Sequence, residues 1–275
     1  MTGTATAAGA VRRRFVAPAR GDQTAAGFAH PLFGDLSVHR DLIDSPEWPD
    51  IDTLNARLPL PDRCFVAQDE ALAADGLHYE LRVARGRIAT RPCNWHDLFN
   101  ALVWARYPVL KAALNARQCL HIARNGTQRR DSAQQALTQF DESGVIVRVR
   151  DAALIQAWDR HDWSTFFQGQ AEHWRRGDLA VAAVVGHALM EQALLPERRL
   201  VGKCLVVLGE MPEESVARIV AAIRAGEALQ DPGGLRPLPL AGIPGWHPRQ
   251  EAAFYAQADY FRPLRAGRVY PPPLC

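Results

Sequence analysis

The sequence predicts an α+β domain, predominantly helical around a small mixed sheet, with a Pro-rich extended C-terminal arm. Three observations carry that expectation. Apolar residues at helical spacing follow capping Asn and Asp residues through the middle of the chain. Residues 145–149, 179–185 and 200–208 have the branched, apolar composition of strands. Residues 232–248 hold Pro and Gly too densely for regular structure, which makes them an arm packed over the domain.

In chain order, residues 1–27 read as a disordered N-terminal tail. Residues 28–275 read as a single globular domain whose C-terminal arm begins near 232, because no repeat and no polar linker divides them. The stretch from 30 to 61 is rich in Pro and Asp and holds one short helix, Ile51–Arg57. Residues 79–90 alternate apolar and polar side chains around Arg85-Gly86, the pattern of a β-hairpin. Asn94 caps a helix that runs to Tyr107, and Pro108 opens the next, over 109–123. Asp131 or Ser132 caps a helix ending near Asp141, with Gly144 after it. The strand at 145–149 is followed by helices at 152–158 and 163–175. The buried strand at 179–185 is then turned by Gly186-His187 into a helix ending before Pro196. The strand at 200–208 and an amphipathic surface helix at 212–229 complete the pattern.

Composition narrows the function classes. An apolar fraction of 48% excludes a fully disordered chain. A formal charge of +2 gives no electrostatic case for nucleic acid as the main partner. Lys111 and Lys203 are the only lysines, and with the Ala-rich composition that reads as codon bias of a GC-rich genome. The five cysteines are odd in number, scattered and without a Cys-x-x-Cys pair, so reduced cytoplasmic thiols are expected. The start places small residues before Arg12, Arg13 and Arg14, the reverse of a secretory signal. The longest apolar run, 179–195, is broken by His187 and Glu191 and is shorter than the ~20 residues of a membrane span.

Candidate chemistry gathers at three places. In Asn94-Trp-His-Asp-Leu-Phe-Asn-Ala-Leu-Val-Trp104 apolar side chains surround the helix on nearly every face, so the helix is buried. His96, Asp97 and Asn100 must therefore find partners, because an unpaired buried polar group costs about 1–3 kcal/mol. They form either a docking network or a catalytic or metal-binding group. At the second place His187 starts a helix just beyond a strand, with Glu191 one turn later on the same face. His and carboxylate at that spacing can share a metal or simply hydrogen-bond. At the third, Asp141 and Glu142 precede Gly144 as solvated turn residues or, if the turn folds inward, as ligands or a base. Phosphate-loop, dinucleotide-fold and nucleophile-elbow signatures are absent, and a Schiff-base role for Lys111 or Lys203 has little support.

At these segments the chain resembles the domain of unknown function 3025 family. The matching stretches are Arg91 with Asn94 to Trp104, Lys111-Ala-Ala-Leu-Asn115, Phe140-Asp-Glu-Ser-Gly-Val-Ile146 and Gly186-His-Ala-Leu-Met-Glu191, then Gly242-Ile-Pro-Gly-Trp246 and Tyr260-Phe-Arg-Pro263. They span roughly residues 45–265. The resemblance implies a bacterial cytosolic protein and transfers no activity.

The residues themselves point to a metal-assisted hydrolase acting on a small anionic molecule. His96, Asp141, His187 and Glu191 are the expected ligands of a divalent ion (Zn, Mn or Fe). Asp97 and Glu142 are the expected catalytic carboxylates, and Arg91 orients the substrate. The alternative is a non-catalytic binding or interaction domain whose buried polar network is structural. The two readings divide on geometry: direct ligation brings the two imidazoles to within roughly 3–4 Å of each other.

Overall fold

The computed structural model of the protein describes residues 15–23, 27–195 and 198–275. The helices begin where the capping chemistry places them. They are α1 Arg40–Asp44, α2 Ile51–Arg57, α3 Glu70–Ala73, α4 Tyr79–Ala84, α5 Trp95–Arg106, α6 Pro108–Asn125 and α7 Ser132–Ser143. Beyond them lie α8 Gln156–Asp159, α9 Ala171–Arg176, α10 His187–Ala193, α11 Pro212–Ala225 and α12 Ala252–Tyr255. The strands are β1 Cys64–Ala67, β2 Arg87–Thr90, β3 Gly144–Val149, β4 Leu179–Val184, β5 Val201–Leu208 and β6 Arg236–Pro239. Asn94 accepts a hydrogen bond from the Asp97 N–H at 3.0 Å to start α5. Asp131 and Gln134 form a reciprocal capping box at the start of α7.

A mixed four-stranded sheet, in the order β4-β3-β5-β6, lies at the centre, so the α+β class stands. β3 pairs antiparallel with β4 and parallel with β5, and it is buried along its whole length. A continuous apolar core joins this sheet to α5, α6, α7 and α11. Phe99 is fully buried in it, with its ring centroid 5.6 Å from that of Trp95 and 5.7 Å from that of Phe33. No helix of the described residues is long and apolar enough to cross a membrane.

Four local expectations are corrected. Residues 79–90 form a helix followed by a strand, not a hairpin. The His78 ring accepts the Glu80 N–H to start α4, Gly86 ends it at φ +83°, and β2 pairs in parallel with the distant β1. Asp141 and Glu142 lie in the last turn of α7, not in a turn beyond it, because the helix continues to Ser143. The arm after residue 232 contains a true strand. Pro237 and Pro239 are tolerated in β6 because it is an edge strand that bonds β5 alone. Finally, part of the expected tail docks on the core. Arg20 is buried between the Trp48 and Trp95 rings and donates to the Leu42 carbonyl at 2.5 Å, while Trp95 Nε1 donates to the Pro18 carbonyl at 3.1 Å. The remainder of that tail, 1–14 and 24–26, lies outside the described residues.

With Phe99 fully enclosed, Phe99→Ala should destabilise the protein by ~3–5 kcal/mol in a denaturant melt. A loss under ~1 kcal/mol would mean that α5 is not central to the core.

Candidate metal centre

Three helix ends meet at one point, and two glycines allow it. α7 runs directly into β3 at Gly144, and β4 runs through Val185 and Gly186 into α10. The Val185 and Gly186 N–H groups both donate to the Gly144 carbonyl, at 2.9 and 3.0 Å. A Cβ on Gly186 would lie 2.5 Å from Ser143 Cα, and one on Gly144 would lie 2.2 Å from the Phe140 carbonyl oxygen. Neither gap admits a side chain. The C-terminal turn of α7 and the first turn of α10 are therefore pressed together, and the first turn of α5 completes the junction.

Each of these ends contributes one side chain. His96 Nε2 and His187 Nε2 face each other at 3.1 Å, with ring planes 73° apart. Glu142 Oε2 lies 3.9 Å from the first and 3.7 Å from the second. One ligand atom from each of the three residues falls within 4.8 Å of the others. Tetrahedral ligands at the usual metal–nitrogen distance of about 2.0–2.1 Å sit about 3.3 Å apart, so this spacing fits one divalent ion.

The outer nitrogens reinforce that fit. His96 Nδ1 faces Glu191 Oε2 at 3.3 Å, which favours a proton on Nδ1 and turns Nε2 toward His187. His187 Nδ1 is buried and makes no hydrogen bond of normal geometry, while the field of the Asp141 backbone carbonyl favours a proton on the ring. A proton at that nitrogen leaves the His187 Nε2 lone pair facing His96 Nε2. At 3.1 Å the two Nε2 atoms are held together by an electrophile between them, either a proton on His96 Nε2 or a metal ion. Burial, reinforced by the Lys111 charge, pushes His187 down to about 3, so this ring is neutral at physiological pH. Burial opposes protonation of His96 too, but Glu191 and Glu142 outweigh it and its pKa is raised.

The surrounding carboxylates are already engaged. Asp141 accepts a 2.5 Å hydrogen bond from Lys111 Nζ, and although burial opposes its charge, Lys111 holds its pKa below the usual carboxylate range. Asp97 is occupied by Arg91, accepting from its backbone N–H at 2.6 Å and from its guanidinium at 3.1 and 2.8 Å. The structure thus gathers His96, His187 and Glu142 around one point and sets Glu191 behind a histidine. Asp141 pairs with a lysine, and Asp97 fixes Arg91, whose guanidinium is half exposed. The ligand-set expectation changes accordingly: Glu142 stands where Asp141 and Glu191 were expected.

A cleft of about 370 Å³ opens on this centre, lined further by Arg91, Lys111, Glu80, Asn100 and Trp104. Glu80 was not foreseen, because in an apparent hairpin it reads as a surface residue. It is buried, accepts from Asn115 Nδ2 at 2.6 Å, and burial pushes its pKa up to about 7. Lys111, 3% exposed, was passed over too, although its rarity in an arginine-rich chain was a usable signal. Asn100 Oδ1 and Trp104 Nε1 are buried in the wall without a hydrogen-bond partner among the described residues.

The chain belongs to the family described as protein of unknown function (DUF3025), whose model matches residues 64–265. No curated protein and no solved structure matches the chain.

Two outcomes follow from this junction. Gly186→Ala forces a Cβ against backbone and should cost about 1–3 kcal/mol in a denaturant melt. An unchanged denaturation midpoint would remove the close approach as a constraint. For Glu80, the native state keeps a proton that the unfolded chain releases between its ordinary value of 4.5 and about 7. Stability should therefore fall as pH rises through that window, and Glu80→Gln should flatten this part of the slope. Parallel wild-type and variant curves from pH 4.5 to 7 would contradict the raised value.

Proposed function

We propose that the protein is a metal-assisted hydrolase of a small anionic substrate. The observation that carries this reading is the opposition of two imidazole Nε2 atoms at 3.1 Å with a carboxylate beside both. His96, His187 and Glu142 would hold a Zn, Mn or Fe ion, and Glu191 would orient His96 and raise its basicity. Held there, a divalent ion would supply Lewis-acid chemistry and activate water near neutral pH.

The other groups in the cleft suit an anionic substrate. Arg91, pinned by Asp97, offers a fixed guanidinium, and the Lys111–Asp141 pair adds a buried ammonium. Glu80 has the proton affinity suited to transferring a proton near neutral pH. The cleft is polar and of a size that takes a small molecule. The five free cysteines fit a reducing cytoplasm.

Element analysis of protein purified without an affinity tag should find about one Zn, Mn or Fe per chain. His96→Ala or His187→Ala should abolish that binding. Glu191→Gln should weaken it ~10–100-fold, as expected for an outer partner of a ligating histidine. The loaded protein should hydrolyse members of a panel of phosphate and carboxylate esters, and Glu142→Gln should not. Wild type that neither carries nor takes up these ions in calorimetry would sink the reading and favour a structural network.

A further inference from the structure

A second cleft, of about 570 Å³, lies on the other chemistry-bearing surface of the fold. Its floor is one face of the β5–β6 pair. In that register Val201 stands opposite Pro239 and Lys203 opposite Pro237, and all four line the cleft. Lys203 is thus a half-buried ammonium rising from an apolar floor, at a position fixed by the sheet.

The walls add Arg199, Arg262, Arg265 and Arg268. Against these five cations the lining has one carboxylate, Asp259, which reaches Arg199 at 3.8 Å. Among the described residues Lys203, Arg262, Arg265 and Arg268 form no ion pair. Asp231, whose field reaches Arg268, is engaged by Ser132 Oγ and by the Gly233 N–H. A chain of formal charge +2 therefore concentrates a surplus of four positive charges in one concavity.

The arrangement is built, not a loose surface tract. The Arg262 carbonyl accepts from Trp163 Nε1 at 2.8 Å and lies 3.0 Å from His161 Nδ1. Tyr260 Oη donates to the Leu200 carbonyl at 2.7 Å, and Tyr270 Oη meets His161 Nε2 at 2.9 Å. These bonds pin the segment that carries the three C-terminal arginines against the sheet. Burial lowers the pKa of Lys203, and the neighbouring Arg268 and Arg265 lower it further. An anion in the cleft would relieve that repulsion.

We infer that this cleft binds a compact polyanion of the di- or triphosphate kind, at a site separate from the metal centre. Its aromatic rings argue against single-stranded nucleic acid. Trp163 and Tyr260 are only 5% and 7% exposed, and Tyr270 is engaged by the Arg236 and Arg268 guanidiniums at 5.3 and 4.8 Å from its ring centre. No open platform remains on which successive bases could stack. Oxygens of a polyphosphate match what the cleft does offer, which is guanidinium forks around a fixed ammonium.

Isothermal titration of the full chain with inorganic tripolyphosphate tests the assignment. Wild type should bind one equivalent, Arg265→Gln about tenfold more weakly, and Lys203→Gln with Arg265→Gln not measurably. The Arg262→Gln, Arg265→Gln pair changes only exposed side chains and serves if the strand position does not tolerate Gln. His96→Ala, which removes a proposed metal ligand, and the exposed Arg124→Gln should leave binding unchanged. A nucleoside triphosphate of equal affinity would assign recognition to the polyphosphate alone; a tighter one would assign it to a nucleoside-linked group. Absence of binding, loss with His96→Ala, indifference to the cleft variants, or tighter binding of a single-stranded oligonucleotide through these residues would each overturn the inference.

Discussion

The contact between Gly144 and Gly186 is the constraint on which the rest of the site depends. At that contact two strands of one sheet end or begin, and two helices begin or end, within hydrogen-bonding distance of one carbonyl. The sheet register, set by burial of β3 along its whole length, thereby fixes how far Glu142 stands from His187. α5 enters from a different part of the chain, and its first turn is held by the Asn94 cap and by Trp95 and Phe99 in the core. The distance between the two imidazoles is thus a consequence of core packing. A sheet slipped by one residue would turn β3 over and separate Glu142 from the histidines.

Charge pairing then decides which carboxylate is available. Asp141 and Glu142 are neighbours in sequence but point about 100° apart around the helix. That rotation gives one to Lys111 and leaves the other facing the histidines. Asp97 follows His96 by the same step and turns to Arg91. Each charged pair supplies its partner with a fixed orientation, and Glu142 is left facing the two imidazoles.

The fold class and the two histidines of the cluster were legible in the sequence as ligand candidates, and Glu142 as a catalytic carboxylate. His96 stood out because the apolar residues around it required it to be buried and paired, and His187 because it followed a strand of unbroken hydrophobicity. What sequence could not supply was rotation and distance. Without knowing that α7 continues to Ser143, Asp141 and Glu142 are interchangeable, and Lys111, the partner of Asp141, lies 30 residues away. The misread at residues 79–90 has a related cause. Gly86 and its alternating neighbours suit a local hairpin, whereas β2 pairs in parallel with a strand that begins 23 residues earlier in the chain. The edge position of β6 is likewise a property of the whole sheet, so its prolines argued against a strand that does form.

The chain has thirty arginines and two lysines, and each lysine lines one of the two clefts. Lys111 is 3% exposed and bonded to Asp141, whereas Lys203 is half-buried and opens on its cleft. The lysine amines therefore form a two-position code. Reagents that modify primary amines would meet Lys203 first and Lys111 only after local opening, so the order of labelling would report separately on the two halves of the molecule.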